Sequence, residues 1–123
     1  MELVFTEREL DVMAVLWEHG PSTVADVRDR LPDPLAYTTV LTVLRTLEAK
    51  GHVGHHEEGR AYRYHALVER EAARESAVSR LKRKLFSGSS ELLLTQLVSD
   101  RDLSERELQR LRHLLQERLD QGE

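Results

Sequence analysis

One unbroken stretch, residues 35–67, reads LAYTTVLTVLRTLEAKGHVGHHEEGRAYRYHAL and confines the chain to few folds. In its first half Val40, Val43, Leu44 and Leu47 recur at helical spacing, which predicts a helix from about Ala36 to Lys50 with one apolar face and Gly51 closing its C-terminus. The opposite face carries Thr38, Thr39, Thr42, Arg45 and Thr46. In the second half, residues 52–56 and 61–65 alternate around Glu57-Glu58-Gly59, as the strands of a hairpin do. A helix with a polar outer face that runs directly into a hairpin is the element order of a winged helix-turn-helix, a shape that places one helix in a DNA major groove.

The residues upstream complete that core. Thr6-Glu7-Arg8-Glu9 has the spacing of a capping box and opens a first helix, whose inward positions are read as Leu10, Val12, Met13, Leu16 and Trp17. His19-Gly20-Pro21 stops it. Ser22 or Thr23 caps a second, short helix with Val24, Val27 and Leu31 inward, and Pro32 and Pro34 end it. The predicted order is helix, helix, helix, strand, strand.

After Leu67 the character changes. Residues from Glu69 to Phe86 form a long charged helix with Ala73, Ala77, Leu81 and Leu85 every fourth residue and Val78 beside them. Ser87-Gly88-Ser89-Ser90 breaks it. A short apolar helix follows around Leu92, Leu93, Leu94, Leu97 and Val98. Ser104-Glu105-Arg106-Glu107 is another capping box, opening a last helix with Leu108, Leu111, Leu114, Leu115 and Leu119. Three helices cannot bury that much leucine within one chain, so a second copy is expected to complete the core. The expected class is therefore mainly α: a winged helix-turn-helix of three helices plus a β-hairpin wing over residues 1–68, then a three-helix dimerisation domain over residues 69–123. Leu81, Leu85, Leu92, Leu93, Leu97, Leu108, Leu111 and Leu115 are its expected dimer contacts.

Composition narrows the function. The chain has no cysteine, which excludes disulfides, cysteine zinc sites and thiol sensing. No apolar run approaches the ~20 residues of a membrane span, and the N-terminus has no basic segment followed by an apolar core. The expectation is a cytoplasmic protein that does not insert into membranes. No glycine-rich phosphate loop, nucleophile elbow or paired carboxylates with a nearby base is present, so an enzyme is not expected, nor is a cofactor. The net charge of −4 weighs against nucleic acid. Its distribution reduces the objection: residues 36–65 hold Arg45, Lys50, Arg60 and Arg63 against Glu48, Glu57 and Glu58, and a local field attracts phosphate where the net charge does not. The alternative is a winged-helix protein-interaction module without specific DNA binding, distinguished by a weak dependence on salt.

The residues expected at DNA are Tyr37, Thr38, Thr39, Thr42, Arg45 and Thr46 on the third helix and Arg60 and Arg63 in the wing. A threonine hydroxyl bonds a phosphate or base edge, and its methyl meets a thymine methyl. Thr38 and Thr39 fall in the first turn, where helix-turn-helix proteins read bases and free amides favour phosphate. Tyr37 stands at the mouth of the helix, and Leu41 is open to either an inward or a groove-facing role. Arg60 follows the turn glycine, within reach of a phosphate or the minor groove. Arg63 is expected on its face of the strand, and Tyr62 and Tyr64 on the other, packed on the core. The hairpin also gathers His52, His55, His56 and His65. His55 and His65 are the metal candidates, provided that the register sets them opposite each other; the plainer reading makes them polar wing residues.

These residues resemble the penicillinase-repressor family of BlaI, MecI and CopY type. LAYTTVLTVLRTLEAKG followed by HHEEGRAYRY carries the likeness, together with FTERELDVMAVLW, Phe5 to Trp17, for the family's LTxxELxVMxxLW. The resemblance extends over nearly the whole chain. It implies a homodimeric transcriptional repressor on inverted-repeat operators in double-stranded DNA, with one recognition helix per half-site. Thr39 and Thr42 match family positions that face DNA, and Arg60 matches the wing's basic residue. Thr38 stands where several relatives carry lysine. Copper-responsive members have a C-terminal cysteine cluster, which this chain lacks. Members regulating antibiotic resistance are cut at an Asn-Phe bond by a membrane sensor protease; the corresponding place here is Gln96-Leu97, a different pair, which leaves release by cleavage or loosening of the dimer domain as the implied mode.

Overall fold

The computed structural model describes residues 3–122. Its first helix begins at a reciprocal cap. Thr6 Oγ1 accepts from the Glu9 amide at 3.1 Å and the Glu9 carboxylate accepts from the Thr6 amide at 2.8 Å, starting α1 (Glu7–His19). Thr23 and Asp26 repeat the arrangement, at 3.1 and 3.3 Å, at the head of α2 (Val24–Arg30). Immediately before it, Ser22–Thr23 forms a two-residue strand, β1, too short for any alternation to announce. The third helix, α3 (Tyr37–Ala49), ends where Gly51 takes φ 83°, a left-handed conformation open to glycine at no steric cost.

The hairpin consists of β2 (Val53–Glu58) and β3 (Ala61–Ala66). Glu57 pairs with Tyr62 and Glu58 with Ala61, so both acids lie in the strand and the turn is Gly59-Arg60. This corrects the expected Glu57-Glu58-Gly59 turn. A two-residue loop whose first residue has positive φ matches the right-handed twist of the strands, and Gly59 supplies φ 64° there. β1 pairs antiparallel with β3 on its other side, giving a sheet of order β1-β3-β2.

Val12, Met13, Val15 and Leu16 of α1, Val24 and Val27 of α2, Val40, Leu44 and Leu47 of α3, and Val53 and Tyr64 of the sheet form the core. Of the residues expected inward, Trp17, Leu31 and Val43 pack against this core partly buried, and two others stand outside it. Leu10 is 43 % exposed and Tyr62 44 % exposed: both sit at the margin of an apolar face, where periodicity gives the side but not the depth. Val15, not expected inward, is buried instead.

The long helix α4 (Arg70–Leu85) begins against this core. Ala73 is buried, the Ser76 hydroxyl accepts from the Leu3 amide at 3.0 Å, and Trp17 Nε1 donates to the Val68 carbonyl at 2.9 Å. The chain divides into two compact units after Val78. In the second unit α5 (Ser90–Val98) is capped by Ser89, and α6 (Glu105–Asp120) opens at the Ser104–Glu107 capping box. Neither helix has a buried residue, and Leu85, Leu92, Leu97, Leu114, Leu115 and Leu119 are all more than half exposed. Among the described residues no helix is long and apolar enough to cross a membrane.

Glu9 does more than cap. It is buried, and both its oxygens accept from Lys50 Nζ, at 3.0 and 2.8 Å, tying the start of α1 to the end of α3. Burial pushes its carboxyl pKa up, but the Lys50 hydrogen bond and charge, with the Thr6 amide, outweigh burial and hold it below the ordinary value. A carboxyl with a depressed folded-state pKa stabilises fully above its unfolded value, near 4.5, and less as pH falls through the folded value. Replacing Glu9 by Ala is expected to cost about 1–2 kcal/mol in urea unfolding at pH 7, and the gap between variant and wild type should narrow as the pH drops below 4.5.

Candidate nucleic-acid interface

The buried stripe of α3 decides what its other side presents. With Val40, Leu44 and Leu47 fully enclosed, the 3.6-residue period turns Thr38, Thr42, Arg45 and Thr46 to solvent, and all four are exposed. Thr39 lies to one side and is half-buried. Tyr37 is 47 % exposed at the start of the helix, with the Arg28 guanidinium 6.0 Å over its ring. Ala36, the N-cap, has no side-chain oxygen, so the first-turn amides point outward without a side-chain acceptor, the usual state of a helix end that receives an anion. The Thr42 hydroxyl donates to the Thr38 carbonyl at 2.9 Å and the Thr46 hydroxyl to the Thr42 carbonyl at 3.0 Å.

Between α3 and the wing runs a groove of about 340 Å³. Tyr37, Leu41 and Arg45 of α3 line it together with Arg60, Ala61 and Tyr62 of the wing and Thr23–Ala25 at the head of α2. Leu41, open to two roles in sequence, is half-buried and packs on the edge of the core while facing this groove. Arg28 and the start of α2 have no sequence signal for a place beside Tyr37; packing of α2 on α3 brings them there.

The two wing arginines have different surroundings. Arg60 is exposed in the turn. Arg63 is three residues on, paired with His56 in the ladder, so the expected common strand face is corrected: strand faces alternate residue by residue. Arg63 is held within the protein, donating to Glu58 at 2.7 Å and to the Pro21 carbonyl at 3.1 Å, with Asp26 at 4.0 Å. It braces the hairpin against the α1–α2 connection.

A second brace lies on the other face. His55 Nδ1 bonds the Glu48 carboxylate of α3, and its ring packs on Tyr62 and Tyr64 at 4.6 and 5.4 Å between centroids. His55 stands opposite Tyr64, and His65 opposite Gly54. The two candidate metal ligands thus occupy opposite faces, and the register that would bring them together does not form. Among the described residues no group of three or more His, Cys, Asp or Glu is arranged to hold a metal ion.

These contacts also redistribute charge. Glu48 and Glu58 are engaged by His55 and Arg63, whereas Arg45 and Arg60 form no salt bridge among the described residues and share the groove. The surface around α3 and the turn is therefore more cationic than the net charge of −4 suggests.

The chain is similar to known repressors. The penicillinase repressor family model matches residues 5–117. The penicillinase repressor of Bacillus licheniformis is 25% identical over 114 residues, covering 91% of this chain and 89% of that protein. The solution structure of the DNA-binding domain of the repressor BlaI is 29% identical, with a TM-score of 0.51 over 58% of this chain and 93% of that one. Monomeric Bacillus licheniformis BlaI in complex with the blaP half-operator is 28% identical, with a TM-score of 0.50 over 58% and 90%. The family is one of transcriptional repressors, not enzymes. A family match that takes in the winged helix and nearly all of the helical tail makes this chain a member of the penicillinase repressor family.

Proposed function

We propose that this repressor acts as a homodimer on an inverted-repeat operator, each protomer presenting α3 to one major groove. The observation that carries the reading is the exposed stripe of Thr38, Thr42, Arg45 and Thr46 on a helix whose opposite side is locked in the core. Thr39 and Tyr37 flank the stripe. Arg60 takes the backbone beyond the groove, and Arg63 positions the wing rather than touching DNA itself. That the similar BlaI was solved on a half-operator supports the same use of this surface.

Dimerisation rests on the second unit. Leu92, Leu97 and Leu115 are more than half exposed, and Leu108 is 39 % exposed; Leu93 and Leu111 are half-buried beside them. Apolar surface of this extent is stabilised by a partner of the same kind. Leu81 and Leu85, also exposed, extend it along α4. Two linked half-sites act at high effective concentration, so repression follows when the operator overlaps a promoter. Loosening the dimer ends it. Gln96-Leu97 is exposed on α5, and a membrane sensor protease would reach that bond once the short helix opens locally. DNA binding and release both take place in the cytoplasm in this reading.

Selection from random duplexes is the first test: an inverted repeat is expected, and recovery of no motif at low salt would favour a protein partner instead. Arg60→Ala should weaken binding on all sequences alike and reduce the slope of log affinity against log salt by about 1. An Arg60→Ala protein with wild-type slope would remove the wing from the interface. Leu115→Asp should shift the protein to monomer in sedimentation and lower affinity for the full repeat by about a hundredfold, while leaving half-site binding nearly unchanged.

A further inference from the structure

The exposed threonines of α3 are alike in composition but not in what they offer a base. A hydroxyl has a single O–H donor and two acceptor lone pairs. At Thr42 and Thr46 that donor is already engaged with the carbonyl four residues back, at 2.9 and 3.0 Å, a pattern open to threonine in helices. Both side chains are exposed. With the proton so engaged, what each has left for a partner is its methyl and an oxygen that can only accept. Among the described residues no such bond engages the hydroxyl of Thr38, and Arg45, with five N–H donors, stands three residues beyond Thr42 and forms no ion pair there either.

Base edges in the major groove differ in the matching way. Guanine presents the acceptors N7 and O6, which call for a donor. Thymine presents its 5-methyl beside the acceptor O4, adenine an amino donor beside the acceptor N7, and cytosine an amino donor. A side chain whose proton is engaged and which has a methyl to offer fits the thymine methyl and the amino donors, and the donor-rich neighbour Arg45 fits guanine. Resting on the reading of α3 as the DNA-facing helix, we infer that Thr42 is a specificity-determining residue that reads a thymine through methyl contact rather than through its hydroxyl proton. Thr46, one turn on, offers the same chemistry to the next step of the site.

The test uses the full-length protein and the operator recovered by selection. Each thymine of one half-site is replaced in turn by deoxyuridine, which deletes only the 5-methyl. At the thymine facing Thr42, wild-type affinity should fall about fourfold, the effect of one methyl left in water. Thr42→Val keeps a methyl and removes the hydroxyl; it should bind within about twofold of wild type and keep that deoxyuridine penalty. Thr42→Ser keeps the hydroxyl and removes the methyl; it should lose about fourfold and no longer respond to the same deoxyuridine. The reverse ranking, with Ser like wild type and Val strongly weakened, would overturn the inference in favour of hydrogen-bond reading. So would the absence of any deoxyuridine penalty that depends on residue 42. If selection instead yields no motif, the DNA reading of α3 itself fails, an outcome separate from either of these. Unfolding midpoints of both variants, expected within a few degrees of wild type, exclude a general loss of fold.

Discussion

The burial of one face of α3 is the constraint on which the rest depends. Val40, Leu44 and Leu47 are entirely enclosed, among α1 and α2 side chains such as Val12, Met13, Leu16 and Val27. Truncating a leucine in such a place costs about 2–5 kcal/mol, so the helix cannot roll about its axis without losing much of the stability of the domain. That rigidity serves the proposed DNA-facing surface. Only because the inner stripe is fixed does the outer stripe of Thr38, Thr42, Arg45 and Thr46 face one direction. The Glu9–Lys50 contact adds a polar tie at the far end of the same helix, joining its last residues to the first turn of α1.

The wing is held relative to that helix by polar contacts on both sides of a small sheet. His55 joins it to Glu48 of α3. Arg63 joins it to Pro21 and approaches Asp26 at the head of α2, and β1 adds backbone pairing to β3. A two-stranded hairpin alone is marginally stable in water; here a third strand and the buried Tyr64 anchor its base, leaving the Gly59-Arg60 tip free to project. The same contacts occupy two acids of the region, which explains how an acidic chain presents a cationic edge. Electrostatics at this surface is decided by which charges are paired, and that is a matter of register more than of composition.

The second unit follows a different rule. Its helices are well specified locally, with Ser89 and the Ser104–Glu107 capping box marking two starts, yet no residue of α5 or α6 is fully buried. A helix of this length owes most of its stability to tertiary packing of its apolar face. In the proposed dimer, the leucines of α5 and α6 would place the stability of the tail, and through it the affinity for two half-sites, under the control of protein concentration.

Local chemistry and periodicity made much of this legible in advance. Capping boxes at Thr6 and Ser104, the Gly51 stop, the stripe of α3 and the order of helices and strands all depend on neighbours within one or two turns, so the sequence by itself determined them. It also carried the family likeness and the threonine-rich face. Tertiary structure alone decided the rest. The hairpin register moved Glu57 and Glu58 out of the turn, separated His55 from His65, and put Arg63 to use inside the fold. Packing of α2 on α3 set Arg28 over Tyr37, and the depth of the core left Leu10 of α1 and Tyr62 of β3 outside it. Periodicity says which way a side chain points, but not what stands there to meet it; that depends on residues distant in sequence, and a shift of one position in strand pairing exchanges every partner.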